Sequence, residues 1–247
     1  MARTAIRRRL TWQLADVVAV RRETSRASRL SLTRPPDWSG HRAGQHVDVR
    51  LTAADGYTAQ RSYSVASPPE QDDLELIVER LDDGEVSPYL TEELRPGDQL
   101  ELRGPIGGYF VWPDGDDPVQ LIAGGSGVVP FLSMLGHHRA AEGEREVRLL
   151  YSARTAEDLL GGAELAESAA LVTVTLTRGA PANWDGLTGR VDEAMLFAHT
   201  LAPTVSSQVL VCGPTAFVET IARALTMQGH DPSSIKTERF GATGGQP

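Results

Sequence analysis

Arg61-Ser62-Tyr63-Ser64 and Gly124-Gly125-Ser126-Gly127-Val128-Val129-Pro130 are the two stretches on which the fold of this chain turns. On a strand, alternate residues share a face, so Arg61 and Tyr63 should project one way and Ser62 and Ser64 the other. The first stretch therefore carries a cation, an aromatic ring and hydroxyls on one strand. The second follows the apolar run Val119-Gln120-Leu121-Ile122-Ala123 and leads into a helical pattern. A strand that breaks into a glycine turn and then opens a helix is an anion-binding device, because the helix start leaves its NH groups free.

Outward from the first stretch the chain reads as short strands. These are Trp12 to Arg21, Ser28 to Thr33, His46 to Leu51, Ala59 to Ala66, Leu74 to Leu81 and Gln99 to Arg103. Their regular spacing and alternation predict a six-stranded antiparallel barrel. A short helix over Pro88 to Leu94 interrupts them, with Ser87 as its N-cap and Pro88 at its first position. The cluster Pro113-Asp114-Gly115-Asp116-Asp117-Pro118 marks a boundary, giving domains over 1–113 and 117–247. Beyond it the pattern alternates. Strands are expected at Val119 to Ala123, Val147 to Tyr151, Leu171 to Thr177, Val209 to Cys212 and Ile235 to Phe240. Helices are expected at Pro130 to Ala141, Ala156 to Ser168, Val191 to His199 and Ala216 to Gln228. That alternation is the signature of a Rossmann-like parallel sheet with helices on both faces. The tail from Gly241 to Pro247 reads as loose.

Composition narrows the function classes. A hydrophobic share of 40% and a charged share of 23% are ordinary for a globular protein. No apolar run is long enough to span a bilayer. Arg7-Arg8-Arg9 precede Leu10 to Val20, which contains Thr11, Gln13 and Asp16 and so lacks the apolar core of an export signal. The expected location is the cytoplasm. The single cysteine, Cys212, excludes an internal disulfide and a four-cysteine iron–sulfur site, and the six histidines show no metal spacing. No metal is expected. Residues 1–61 hold 12 arginines against 5 acids, whereas residues 62–247 hold 12 bases against 28 acids. A basic N-terminal third is either solvated strand surface or a docking face for an acidic redox partner. The overall charge of −9 and the lack of a recognition motif argue against nucleic acid.

The chemistry-bearing residues fall at strand ends and helix starts. A flavin dinucleotide needs stacking surface and anion donors, and Tyr63 and Arg61 offer both, while Ser64 could reach the ring edge. Gly84, Val86 and Ser87 lead into the short helix, whose start would suit a pyrophosphate. Gly104-Pro105 ends the barrel region. Gly125, Gly127 and Pro130 form a variant dinucleotide fingerprint that includes Val128. Ser152 and Arg154, with Arg178 one strand further, stand where an acid would select a free 2′-hydroxyl, and they suit a 2′-phosphate instead. Cys212, Gly213 and Pro214 close another strand, and Glu238 and Phe240 the last.

Taken in order, Arg61 to Ser64, Gly84 to Ser87, Gly104-Pro105, Gly125 to Pro130, Cys212 to Pro214 and Glu238 to Phe240 resemble the motif series of the ferredoxin–NADP reductase superfamily, from about Trp12 to Phe240. The resemblance implies that Arg61, Ser62, Tyr63 and Ser64 meet FAD, as do Ile77 and Glu79 on the strand that follows. Gly84, Val86 and Ser87 would meet its pyrophosphate. It also implies that Gly125, Gly127 and Pro130 meet the nicotinamide nucleotide, with Ser64, Cys212 and Glu238 near the hydride-transfer locus. Plant-type relatives often end in an aromatic residue over the flavin, but this chain runs seven residues past Phe240. Its one cysteine also excludes the ferredoxin domain or cluster-binding cysteines of some relatives. The expected activity is hydride transfer from NADPH, in preference to NADH, to FAD, and electron release to a ferredoxin or other external one-electron carrier. A flavin or quinone reductase and a non-catalytic FAD electron-transfer subunit are the rival readings. Oligomeric state is not readable.

Overall fold

The computed structural model describes residues 10–142 and 144–240. Arg7 to Arg9 and the tail from Gly241 lie outside them. Six antiparallel strands form the first domain: β1 (Gln13–Thr24), β2 (Ala27–Leu32), β3 (His46–Thr52), β4 (Thr58–Ser64), β5 (Leu74–Glu79) and β6 (Gln99–Ile106). Their spatial order is β4-β3-β6-β1-β2-β5, and a bridge between Val65 and Leu76 joins the two edges into a barrel. The alternation seen in the sequence fills its interior with Val17, Leu30, Val47, Val49, Leu76 and Leu102.

The second domain is a six-stranded parallel sheet of order β10-β9-β8-β7-β11-β12. Its strands are β7 (Val119–Gly124), β8 (Val147–Ala153), β9 (Leu171–Leu176), β10 (Leu187–Thr188), β11 (Gln208–Pro214) and β12 (Ile235–Phe240). Helices α1 (Val129–Ala140) and α2 (Gly162–Glu167) cover one face; α3 (Glu193–His199) and α4 (Thr215–Met227) cover the other. Along β7, Leu121 and Ala123 pack under α1 while Ile122 packs with Val218 and Ile221 of α4. Two elements differ from expectation. The helix expected over Ala156 to Ser168 breaks into a single turn at Ala156–Asp158 and the short α2, because Gly161 takes φ 70° between them. The two-residue β10 was not foreseen; it extends the sheet beyond β9.

The domains are joined by a shared apolar core and by charge. Ala27, Ile77 and Phe110 of the barrel region pack into the same cluster as Phe131 and Leu132 of α1. Arg29, buried in β2, pairs with Glu75 at 2.8 Å, with Glu23 at 3.0 Å and with Glu164 of α2 at 2.5 Å. Ser133 of α1 donates to the Ser67 carbonyl at 2.7 Å. This seam puts the carboxyl ends of the parallel strands against the barrel.

Candidate functional site

On the barrel side, β4 carries Arg61 and Tyr63 on the face shared with Val49 and Val47, their register partners on β3. Both are half-buried. Burial pushes the Tyr63 hydroxyl pKa well above its ordinary value. Ser62 points the other way, donating to Asp48 at 2.6 Å. Ser64 shares that outer face, is buried, and its Oγ has no hydrogen-bond partner among the described residues. The Arg61 guanidinium donates to Glu85 at 3.1 Å, and the Tyr57 hydroxyl donates to the same carboxylate at 2.6 Å. Arg61 thus hangs beside the turn Gly84 to Ser87, as the sequence order implies.

The helix after that turn is a correction. It is one π-helical turn, Tyr89–Glu93, and its N-cap is Pro88, with no side-chain cap. Ser87 instead accepts a hydrogen bond from the Leu81 backbone NH at 3.0 Å, beside the turn that the Gly84 NH closes on the Leu81 carbonyl at 2.9 Å. Val86 is buried in the barrel core, and Ile77 in the core between the domains.

On the nucleotide side, the glycine turn coils as a 3₁₀ segment over Gly125–Val128 before α1 begins. Gly125 has φ 54°, which a side chain would strain. At Gly127 a Cβ would lie 2.3 Å from the Cys212 carbonyl oxygen, so only glycine lets the turn pack against β11. Val128 and Pro130 are buried beneath the turn, where they support it. The turn opens on a cleft of about 290 Å³ between the domains, lined by Gly125, Ser152, Arg154, Asp158, Phe217 and, from the barrel, Glu79. Pro214, at the end of β11, lines the same cleft. The Phe217 ring presses on this turn: a Cβ at Gly124 would lie 2.8 Å from it. Its place in the first turn of α4, just after Cys212-Gly213-Pro214, is a signal the sequence reading passed over.

Arg154 is held, not free. It donates to Glu79 at 3.0 Å across the domain seam and lies 3.6 Å from Asp158. Arg178 is exposed and makes no ion pair among the described residues; its backbone NH donates to the Arg154 carbonyl at 2.8 Å.

Where the barrel meets the sheet, Cys212 and Glu238 are register partners on β11 and β12. Cys212 is fully buried; burial, with Glu238 nearby, pushes its thiol pKa up, so it stays protonated. Glu238 is pushed up to about 7 by burial, and its Oε2 is buried without a partner. Its Oε1 lies 4.0 Å from Nδ1 of His46, a residue the sequence reading missed. Phe240, the register partner of Pro214, packs partly buried against the core between the domains.

These residues fit a flavin dinucleotide. Ser64 of the barrel and Glu238 of the sheet each keep a buried side-chain oxygen without a partner among the described residues, while Tyr63 and Arg61 occupy the other face of β4. A buried oxygen of this kind can take its missing hydrogen bond from a ligand. The basic N-terminal third is balanced by acids further along the same domain. Through Trp112 the chain carries 15 Lys and Arg against 17 Asp and Glu. Arg26, Arg50 and Arg61 are neutralised within the barrel by Asp82, Glu101 and Glu85.

A barrel and a parallel sheet that open complementary sites on one cleft define a flavin- and pyridine-nucleotide-binding oxidoreductase. The family model for the oxidoreductase FAD-binding domain matches residues 12–111, and that for the oxidoreductase NAD-binding domain matches residues 121–223. The chain is 30% identical over 215 residues to NADH-cytochrome b5 reductase 1 of Aspergillus terreus, covering 82% of this chain and 72% of that one. It is 31% identical over 209 residues to the glycine betaine monooxygenase reductase subunit of Chromohalobacter salexigens, covering 81% of this chain and 56% of that one. It therefore spans little more than half the length of that relative. The crystal structure of the Amycolatopsis cytochrome P450 reductase superposes with a TM-score of 0.81 at 28% identity, covering 95% of this chain and 71% of that one. The chain belongs to the ferredoxin–NADP reductase superfamily, with FAD and a nicotinamide nucleotide as its cofactors. Among the described residues no helix is long and apolar enough to cross a membrane.

Proposed function

We propose that the chain takes hydride from a nicotinamide nucleotide onto FAD and passes electrons to a separate one-electron acceptor, a ferredoxin or another redox protein. The observation that carries this is the cleft between the domains, where Glu79 of the barrel meets Gly125, Ser152, Arg154 and Pro214 of the sheet, beside the contact of Glu238 with His46 of the barrel at 4.0 Å. Bound FAD supplies the conversion between two-electron and one-electron chemistry. The chain's own part is alignment. Tyr63 offers a ring face, Ser64 a hydroxyl at the seam, and Arg61 a cation at the Gly84 turn. Gly127 lets the nucleotide turn lie against β11, and buried Cys212 leaves space without adding charge. An external acceptor is supported by relatives whose names are those of reductase subunits and of a P450 reductase.

The nucleotide reading is NADPH with modest discrimination. Ser152, Arg154 and Arg178 favour a 2′-phosphate, while Glu79 and Asp158 already neutralise Arg154. The preference over NADH is held to about 2- to 5-fold, the effect of one exposed, partly compensated ion pair. Anaerobic titration with NADPH and NADH, followed by flavin absorbance, tests both points. Bleaching should occur with both and at lower concentration with NADPH. A flavin that neither nucleotide bleaches removes the proposal.

A further inference from the structure

We propose that Arg26, in the turn between β1 and β2, supplies from the barrel wall of the cleft the cation most available to the nucleotide's 2′-phosphate. The proposal rests on the NADPH reading above and adds a residue that the sequence did not single out. It starts from position. β1 and β2 are joined by the two-residue turn Ser25-Arg26, with Thr24 and Ala27 as register partners on either side. Both backbone groups of Arg26 are tied down: its NH donates to Thr24 Oγ1 at 3.2 Å, and its carbonyl accepts from the Arg80 NH of the chain just after β5 at 2.7 Å. Thr24, Arg26 and Ala27 line the cleft of about 290 Å³ from the barrel side. Ala27 is also the register partner of Glu79, the acid that holds Arg154 across the seam. Arg26 and Arg154 therefore reach one cleft from opposite domains.

What separates the two arginines is the cost of release. Arg154 is shared by two carboxylates, Glu79 and Asp158. Arg26 has one, Asp82, at 3.1 Å, and that carboxylate is 64% exposed. Asp82 is also held by Arg80 at 2.9 Å, so it keeps a cation when Arg26 turns away. The Arg26 side chain is itself incompletely bonded. Its Nη2 donates to Asp82 and, at 3.2 Å, to the Arg80 carbonyl, while Nε is buried without a partner among the described residues. Nε and Nη2 form an edge on which a guanidinium can take two oxygens of a phosphate, and here that edge is half used. A phosphate monoester brings more charge and more acceptor oxygens than the carboxylate it displaces. A free 2′-hydroxyl brings no charge, so with NADH the guanidinium stays on Asp82. Arg26 then discriminates between the two nucleotides without a change in the fold.

Binding of two adenosine ligands to the oxidised holoenzyme tests this without any hydride transfer. Adenosine 2′,5′-bisphosphate carries the 2′-phosphate and 5′-AMP lacks it, so titration calorimetry with both isolates the contact. Arg26→Gln should weaken the bisphosphate about 2- to 5-fold, the effect of one exposed charge pair, and leave 5′-AMP within error. Asp82→Asn removes the competing carboxylate and should tighten the bisphosphate by about 2-fold, again with 5′-AMP unmoved. An unchanged bisphosphate affinity in Arg26→Gln overturns the assignment. Equal weakening of both ligands overturns it as well, because the turn would then only support the cleft wall. Failure of NADPH and NADH to bleach the wild-type flavin, with bisphosphate binding intact, would strike the hydride reading alone.

Discussion

Arg61 and Arg154, two of the three arginines that the sequence assigns to phosphates, keep different company. Arg61 meets one carboxylate, Glu85, which is 48% exposed and belongs to the same domain. Arg154 sits between Glu79 of the barrel and Asp158, which are 28% and 21% exposed. Releasing Arg61 to an incoming pyrophosphate means breaking one solvated pair, worth about 0–1 kcal/mol. Releasing Arg154 strands two less solvated carboxylates and unties a contact between the domains. An arginine at a motif position is therefore a statement about shape, whereas its availability is set by acids elsewhere in the chain. On the proposed reading, an anion at the barrel would displace one exposed carboxylate, whereas one at the nucleotide cleft would displace two less exposed ones.

The largest effect should come from the framework of the nucleotide side. Gly127→Ala places a methyl 2.3 Å from a carbonyl oxygen on β11, and backbone has little room to yield. Overpacking of this kind costs about 3 kcal/mol, or roughly 6–12 °C in melting temperature for a chain of this size. Thermal unfolding reads it. A melting temperature unchanged from wild type would show that the turn relaxes freely and that glycine is not required there by its packing on β11.

Glu238 offers a second test through pH. Its folded pKa of about 7 stands above its ordinary 4.5, so the folded protein holds this proton more tightly than the unfolded chain does. The associated stability is fully present below about pH 4.5 and is lost as pH rises through 7. Glu238→Gln cannot ionise, so it should gain on wild type by about 1–3 kcal/mol between about pH 5 and 8. Denaturant unfolding across that range checks the sign. A variant that loses ground with rising pH would mean that Glu238 is a stabilised carboxylate.

Tyr63→Ala probes the barrel side at a similar or smaller scale. Flavin retention should weaken by about 1–3 kcal/mol, the range for a lost aromatic face and its buried area. Equilibrium dialysis of FAD against the stripped protein measures it, and equal affinity in the variant would take Tyr63 out of the site.

What could be read from the sequence follows the range of the interactions. The barrel strands and the parallel strands are local facts, because Val47 and Val49 announce their face by alternation and Leu121 and Ile122 belong to an apolar run buried on both faces. The glycine turn was legible because its packing demand falls on residue type, and Gly127 meets β11 as glycine must. Ser87 was misread since a serine before a proline fits a cap, yet here the Leu81 NH competes for the same oxygen. The expected long helix after β8 failed at Gly161-Gly162, where two glycines outweighed the helical residues around them. His46 could not be found from its own strand, because its partner Glu238 arrives from the last strand of the other domain. The same holds for Arg154, whose acids lie on β5 and beyond β8.

The smallest effect is the one that speaks most directly to the two arginines. Glu79→Gln keeps the shape of the side chain and its hydrogen-bonding reach but removes one of the two charges that hold Arg154. Because Arg154 is 40% exposed, solvent screens the pair, and its loss is worth about 0.5–1 kcal/mol at most. Arg154 would then be freer to meet a 2′-phosphate, and kcat/KM with NADPH should rise roughly 2- to 5-fold. NADH carries no phosphate at that position, so its kcat/KM should stay within error. The matching change on the barrel, Glu85→Gln, should leave the NADPH-to-NADH ratio alone, since Arg61 lies outside the nucleotide cleft. Steady-state kinetics with both nucleotides separates the cases. If Glu79→Gln alters both nucleotides equally, the Glu79–Arg154 contact serves domain packing only, and the two arginines differ less than their surroundings suggest.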